Sequence, residues 1–214
     1  MPKSQAKRLL VEGETDKRVF PYLLEGNGVV WPKGDEPVDI KPLGSKEVRK
    51  TDVTAQLVAS GLRILGLILD ADDDVIATWG KVKGWLSDSF PDLIGDLPRE
   101  GFISLPNAAG IKLGVWIMPD NQSRGMLETF LMFLAPDDQD PLVKYAATAR
   151  DQAKKKWKAP FKDVHADKAK IHTWLAWQGE PGPQLHEAVD RRVLDPTSPH
   201  SKPFVAWFRK LFEL

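Results

Sequence analysis

Apolar residues fall along this chain in two rhythms. KRLLVEG is a short apolar run closed by a glycine, and ETDKRVFPYLLE follows with Val19, Phe20, Leu23 and Leu24 at helical spacing. A strand, a tight turn and a helix are predicted there. Between residues 28 and 43, Pro32, Gly34, Pro37 and Pro42 break up the apolar positions, which leaves a loop and one short strand around VDIKPLG. The stretch DVTAQLVASGL has a Thr or Asp cap candidate and apolar Val53, Leu57 and Val58, so a helix is predicted to feed the nearly continuous apolar strand RILGLILD. A further helix is predicted over 74–88, then two short strands at FISLP and IKLGVWIMPD, the second ending in acid at Asp120.

From about Gly125 onward the pattern is helical throughout: MLETFLMFL, PLVKYAATARDQAKKKW, ADKAKIHTWLAWQ, QLHEAVDRRVL and PFVAWFRKLFEL, parted by Pro- and Gly-rich linkers. Continuous apolar strands alternating with helices specify an α/β fold whose mostly parallel sheet is covered on both faces. The division expected is an α/β core over residues 1–124 and a helical part over 125–214 that completes or packs on it.

Composition adds limits rather than a function. Thirty acidic and thirty basic residues cancel, so only their distribution carries information. Acids gather at 70–74 (DADDD) and 137–140 (DDQD), and lysines at 154–158 (KKKWK) and again through 162–170. The eight tryptophans, Trp174, Trp177 and Trp207 among them, read as core more than as base-stacking platforms. Cysteine is absent, no apolar run approaches the roughly 20 residues that cross a bilayer, and MPKSQAKRLL lacks a signal-peptide apolar region. A cytoplasmic protein with no membrane partner is expected.

Chemistry is concentrated in the acids at strand ends. Asp70 and Asp72 lie two residues apart at the carboxyl end of an apolar strand, where alternate residues share a face. Glu12 ends the first apolar strand in the same way and precedes a glycine that permits close backbone approach. Neighbouring parallel strands would bring these carboxylates together, and their repulsion is relieved by a hard divalent cation such as Mg²⁺. A cation so held suits phosphodiester chemistry. His165, His172, His186 and His200 show no metal-ligand spacing and read as surface or core residues, with a phosphate contact as the alternative.

LLVEGETDKRVF together with LGLILDADDD resembles the two signature segments of the Toprim domain, found in topoisomerases, bacterial primases, a ribosomal-RNA maturase and nucleases of the overcoming-lysogenization-defect (OLD) type. The resemblance implies a Toprim-like, Rossmann-like sheet and assigns metal-binding or acid/base roles to Glu12, Asp70 and Asp72. Asp16 matches an acid that nucleases of this class add four positions later. More loosely, it implies Asp120 and Glu128 as aids to a second ion, and Lys168 or Lys170 as the cation that stabilises the transition state. KAKIHTWLAWQGEPG also looks like the C-terminal part of small Toprim-like proteins related to the OLD nucleases. The sequence has no Walker P-loop, no zinc-ligand cysteines and no topoisomerase tyrosine context, with Tyr22 and Tyr145 its only tyrosines.

The implied function is a Mg²⁺- or Mn²⁺-dependent endonuclease that binds one or two ions and acts on DNA, in phage defence or DNA repair, alone or with an ATPase partner in trans. An RNA-processing nuclease resembling the ribosomal-RNA maturases and a non-catalytic metal-binding scaffold are the competing expectations.

Overall fold

The structure, a computed structural model, describes residues 6–44, 48–136 and 140–214. Five strands, β1 (Lys7–Val11), β2 (Asp39–Pro42), β3 (Ile64–Asp70), β4 (Phe102–Ile103) and β5 (Lys112–Met118), form one sheet in the order β2-β1-β3-β5-β4. All neighbours run parallel except the two-residue edge strand β4, which pairs antiparallel with β5. Among the described residues eight α-helices surround it: α1 (Glu14–Gly26), α2 (Lys50–Leu57), α3 (Val75–Leu86), α4 (Leu127–Met132), α5 (Pro141–Trp157), α6 (Ala166–Leu175), α7 (Leu185–Asp190) and α8 (Lys202–Phe212). This is the mixed α/β architecture with a mostly parallel sheet that the apolar rhythms predict, and its layout is Rossmann-like.

Period-two alternation sorts the central strands onto two cores. Leu9 and Val11, Ile64 and Ile68, and Trp116 and Met118 face the larger one with α1 and α4 to α8. Leu10, Leu65, Leu67, Leu69, Leu113, Val115 and Ile117 face the other, with Val53 of α2 and Trp79, Val82 and Leu86 of α3. Residues beyond 125 thus complete the core of the sheet rather than enclosing one of their own. Trp174 and Trp207 are buried in it as expected, whereas Trp177 is partly exposed and stacks on Tyr145.

A glycine pair lets the last helix close this core. Gly66 and Gly114 are cross-strand partners on β3 and β5. A Cβ at Gly66 would lie 2.8 Å from Phe212 Cζ, and one at Gly114 would lie 2.7 Å from Leu211 Cδ1. Both side chains belong to α8, so the absent methyl groups form the hollow into which it packs.

The expected acidic gathering at 137–140 falls outside the described residues except for Asp140. That residue caps α5, its carboxylate accepting the Leu142 N–H at 2.8 Å. Among the described residues no helix is long and apolar enough to cross a membrane.

Candidate metal and phosphate site

The chain leaves β1 toward β2 on one side and later returns to lay β3 on the other. The carboxyl ends of β1 and β3 therefore flank a topological switch point, where loops diverge and open a crevice. Glu12 directly follows β1 and Asp70 ends β3. The Glu12 carboxylate spans the two strands, its Oε1 accepting the Asp70 N–H at 2.9 Å. Asp70 Oδ1 in turn accepts the Leu127 N–H at 3.0 Å, at the first residue of α4. One chain of hydrogen bonds thus joins β1, β3 and α4 through the two acids the sequence singles out.

Asp16 turns back from the first turn of α1 to cap it, Oδ2 accepting the Gly13 N–H at 3.1 Å, and is only 7% exposed. Glu128, 4% exposed, enters from α4 and pairs with Lys168 Nζ of α6 at 3.0 Å. Asp72 lies past the strand in a left-handed conformation (φ 51°), its backbone N–H and C=O bonded to Gly125 at 2.9 and 2.8 Å. That clasp ties the loop after β3 to the loop before α4, and Gly125 (φ 135°) has no room for a side chain against Thr129.

Glu12, Asp16, Asp70, Asp72 and Glu128 line a cleft of about 450 Å³. Burial raises the proton affinity of three of them, and mutual repulsion adds to it. Asp70 is held well above the ordinary carboxylate range, first by desolvation and then by Glu12, Asp16, Glu128 and Asp72. Asp16 is pushed up to about 7 by desolvation, with Glu12 and Glu128 contributing. Glu12 is raised by burial and then by Asp72, against the Asp70 N–H and Lys81, which favour its charge. Like-charged carboxylates held this close in a desolvated crevice store unfavourable energy that a cation relieves.

The five acids offer carboxylate oxygens, a donor type that fits Mg²⁺ or Mn²⁺. Among the described residues no three acidic or histidine side chains surround a single point as a ready-made metal cage. The tethers account for this: Glu12 Oε1, Asp70 Oδ1 and Asp16 Oδ2 accept backbone N–H groups and Glu128 holds Lys168.

Two expected site residues lie elsewhere. Asp120 does not line the acidic cleft. Its carboxylate folds onto its own loop, accepting N–H groups of Gln122 at 3.0 Å and Ser123 at 2.7 Å, and it borders a neighbouring hollow with Arg99 and His200. The turn after β5, which ends at Met118, separates it from the strand whose end was expected to aim it. Lys170 is also outside the cleft. Two helix positions beyond Lys168 put it on another side of α6, where Asp167 and Arg150 are its charged neighbours and burial lowers its proton affinity. Of the two lysine candidates, Lys168 is the one at the acids.

Lys162, Val164 and His165 of the turn between α5 and α6 also line the cleft; the sequence offered His165 a phosphate contact only as an alternative and gave Lys162 and Val164 no role. Lys162 belongs to the lysine series visible in the sequence, but no periodicity marks it as different from its exposed neighbours. The Leu127 N–H was likewise illegible, because a backbone donor has no residue signature.

A larger hollow of about 770 Å³ lies at the opposite, amino-terminal ends of β1, β3 and β5. Two of its cations tie down the end of α8: Lys7 donates to the Phe212 carbonyl and Lys112 pairs with Glu213. The acidic cleft is smaller but gathers the chemistry.

No curated protein and no solved structure is matched by this chain. One family model matches residues 6–213, nearly the whole described chain, and its description is "Protein of unknown function (DUF3226)". A protein built around a carboxylate-lined switch-point crevice, with residues of the core and of the C-terminal helices matched together, is thus a member of the DUF3226 family.

Proposed function

We propose that this protein is a Toprim-type, divalent-metal-dependent nuclease that hydrolyses nucleic-acid phosphodiesters, with DNA as the favoured substrate. The observation that carries the reading is the meeting of Glu12 and Asp70 at the switch point between β1 and β3, with Asp16 and Glu128 buried beside them. Glu12, Asp16, Asp70 and Asp72 would hold Mg²⁺ or Mn²⁺, and Glu128 would assist. Such an ion, when bound, polarises a phosphoryl oxygen and acidifies a water molecule.

The remaining chemistry belongs to this chain. Asp70 stays fixed through the Leu127 N–H and Glu12 through the Asp70 N–H, so both carboxylates are pre-oriented with little freedom to lose on binding. Lys168 sits at the rim with its ammonium on Glu128, placed to neutralise charge developing on a phosphate that enters between them. Lys162 and His165 of the cleft lining supply phosphate contacts that fix register without reading sequence.

The test is incubation of the purified protein with supercoiled plasmid, linear duplex, single-stranded DNA and structured RNA, each with Mg²⁺, Mn²⁺ or EDTA. Cleavage of DNA that needs metal and falls below detection in Asp70→Asn is expected. Cleavage confined to structured RNA would replace the substrate with RNA, and metal-independent cleavage or none at all would overturn the nuclease reading.

A further inference from the structure

The lysine run is not absorbed by the cleft chemistry, and its placement gives it a job. Residues 150–170 hold eight Lys and Arg against three Asp. Their acids are spoken for: Asp151 pairs with Arg150, Asp163 with Lys154, and Asp167 accepts the Thr129 hydroxyl at 2.6 Å while Arg150 lies 3.8 Å away. Lys155, Lys156 and Lys158 are exposed and in no ion pair among the described residues.

Lys154 plays a different part. It donates to the Phe161 carbonyl, lies 3.2 Å from Asp163 and 4.8 Å from the Phe161 ring centre, and so pins the turn after α5 back onto the helix. That turn begins where Lys158 ends α5 in a left-handed conformation (φ 55°) and carries Lys162 and His165 into the cleft wall. The exposed lysines and the cleft are thus joined by a few residues of pinned backbone.

An exposed aromatic sits in the middle of the run. Trp157 is 72% exposed, and Lys156 Nζ lies 5.1 Å from its ring centre. An open indole face with an ammonium beside it matches a nucleobase and its neighbouring phosphate.

We infer that the end of α5 is a docking arm for single-stranded nucleic acid, in which Lys155, Lys156 and Lys158 follow the backbone and Trp157 stacks one base, leading the strand past Lys162 into the acidic cleft. Single strands are favoured over duplex because the bases of a duplex are already stacked and cannot reach Trp157. The inference rests on the proposed nuclease reading for what happens in the cleft, but binding to the arm is measurable without turnover.

The experiment is fluorescence anisotropy of a labelled single-stranded oligonucleotide of mixed sequence in EDTA, against a salt series, with a duplex of the same sequence and polyglutamate as competitors. The full chain is compared with Lys155→Gln/Lys156→Gln/Lys158→Gln and with Trp157→Ala. Loss of three contacts is expected to flatten the slope of log affinity against log salt by about 2. Trp157→Ala is expected to weaken binding roughly 5- to 150-fold at any one salt concentration. All these side chains are exposed, so both variants keep the fold, which circular dichroism verifies. Unchanged affinity in either variant, or competition by duplex or polyglutamate equal to that by single strand, would overturn the arm. Cleavage in Mg²⁺ is scored separately: a wild type that binds through the arm but never cuts refutes the nuclease reading and leaves the arm standing.

Discussion

Asp16→Asn tests directly whether the crevice is strained by its own charge. The substitution keeps the shape of the side chain and an oxygen that can accept the Gly13 N–H, and removes one negative charge from a site where burial first, and Glu12 and Glu128 after it, oppose that charge. Asp16 binds its proton with a pKa of about 7 in the folded protein against an ordinary 3.8. At about 1.4 kcal/mol for each tenfold change in proton affinity, that is on the order of 4 kcal/mol of folding stability. The sign follows from proton counting. Between the two values the folded state binds more protons than the unfolded one, so stability falls as pH rises from about 4 to about 7 and stays low above it. Asparagine has no such dependence. Urea unfolding in EDTA from pH 4 to pH 8.5 should therefore show little difference between the two proteins at pH 4, a gap opening through pH 5 to 7, and a plateau on the order of 4 kcal/mol in favour of the variant. Mg²⁺ at pH 8 should restore stability to the wild type more than to the variant. A gap that does not change with pH, or a wild type more stable at pH 8 without metal, would refute the claim that these carboxylates repel one another in a desolvated crevice.

Three further variants probe the core and the placement of the lysines. Gly114→Ala should lower stability by about 1–3 kcal/mol in urea unfolding, because its methyl group would press on Leu211 in a packed core; a neutral result would mean α8 does not seat in the glycine hollow. Lys168→Met leaves Glu128 buried without its cation, and because Lys168 is about half exposed the stability cost should be near 1 kcal/mol, with a marked loss of cleavage rate. Lys170→Met should leave cleavage within about twofold of wild type, since its charged neighbours are Asp167 and Arg150; equal losses in the two variants would contradict the placement of the lysines.

Much of this protein was legible before its structure. The apolar runs ending at Val11 and Asp70 are strands buried on both faces, and such runs admit few other readings once helices alternate with them. Helix boundaries were read closely where a stop or cap is chemical: PLVKYAATARDQAKKKW is α5 from first to last residue, bounded by the Asp140 cap and Pro141. QLHEAVDRRVL, lacking such a stop, is helical only to Asp190, and DVTAQLVASGL only to Leu57. Strand FISLP shrinks to Phe102–Ile103, an edge that a single neighbour supports.

Local sequence determined which residues could carry charge at the carboxyl ends of strands, because period-two alternation and strand length depend only on neighbours along the chain. It named Glu12, Asp70 and Asp72, and the family resemblance added Asp16 and Glu128; all five border one cleft. Strand order, the long-range choice that puts β3 against β1 and creates the switch point, was decided only by the tertiary structure. So were the turn of Lys168 toward Glu128, the turn of Lys170 toward Asp167 and Arg150, and the arrival of Lys162 and His165 beside the acids. These depend on where helices packed from residues a hundred positions away come to rest, and one hundred degrees of helix rotation per residue is enough to take a lysine into a site or out of it.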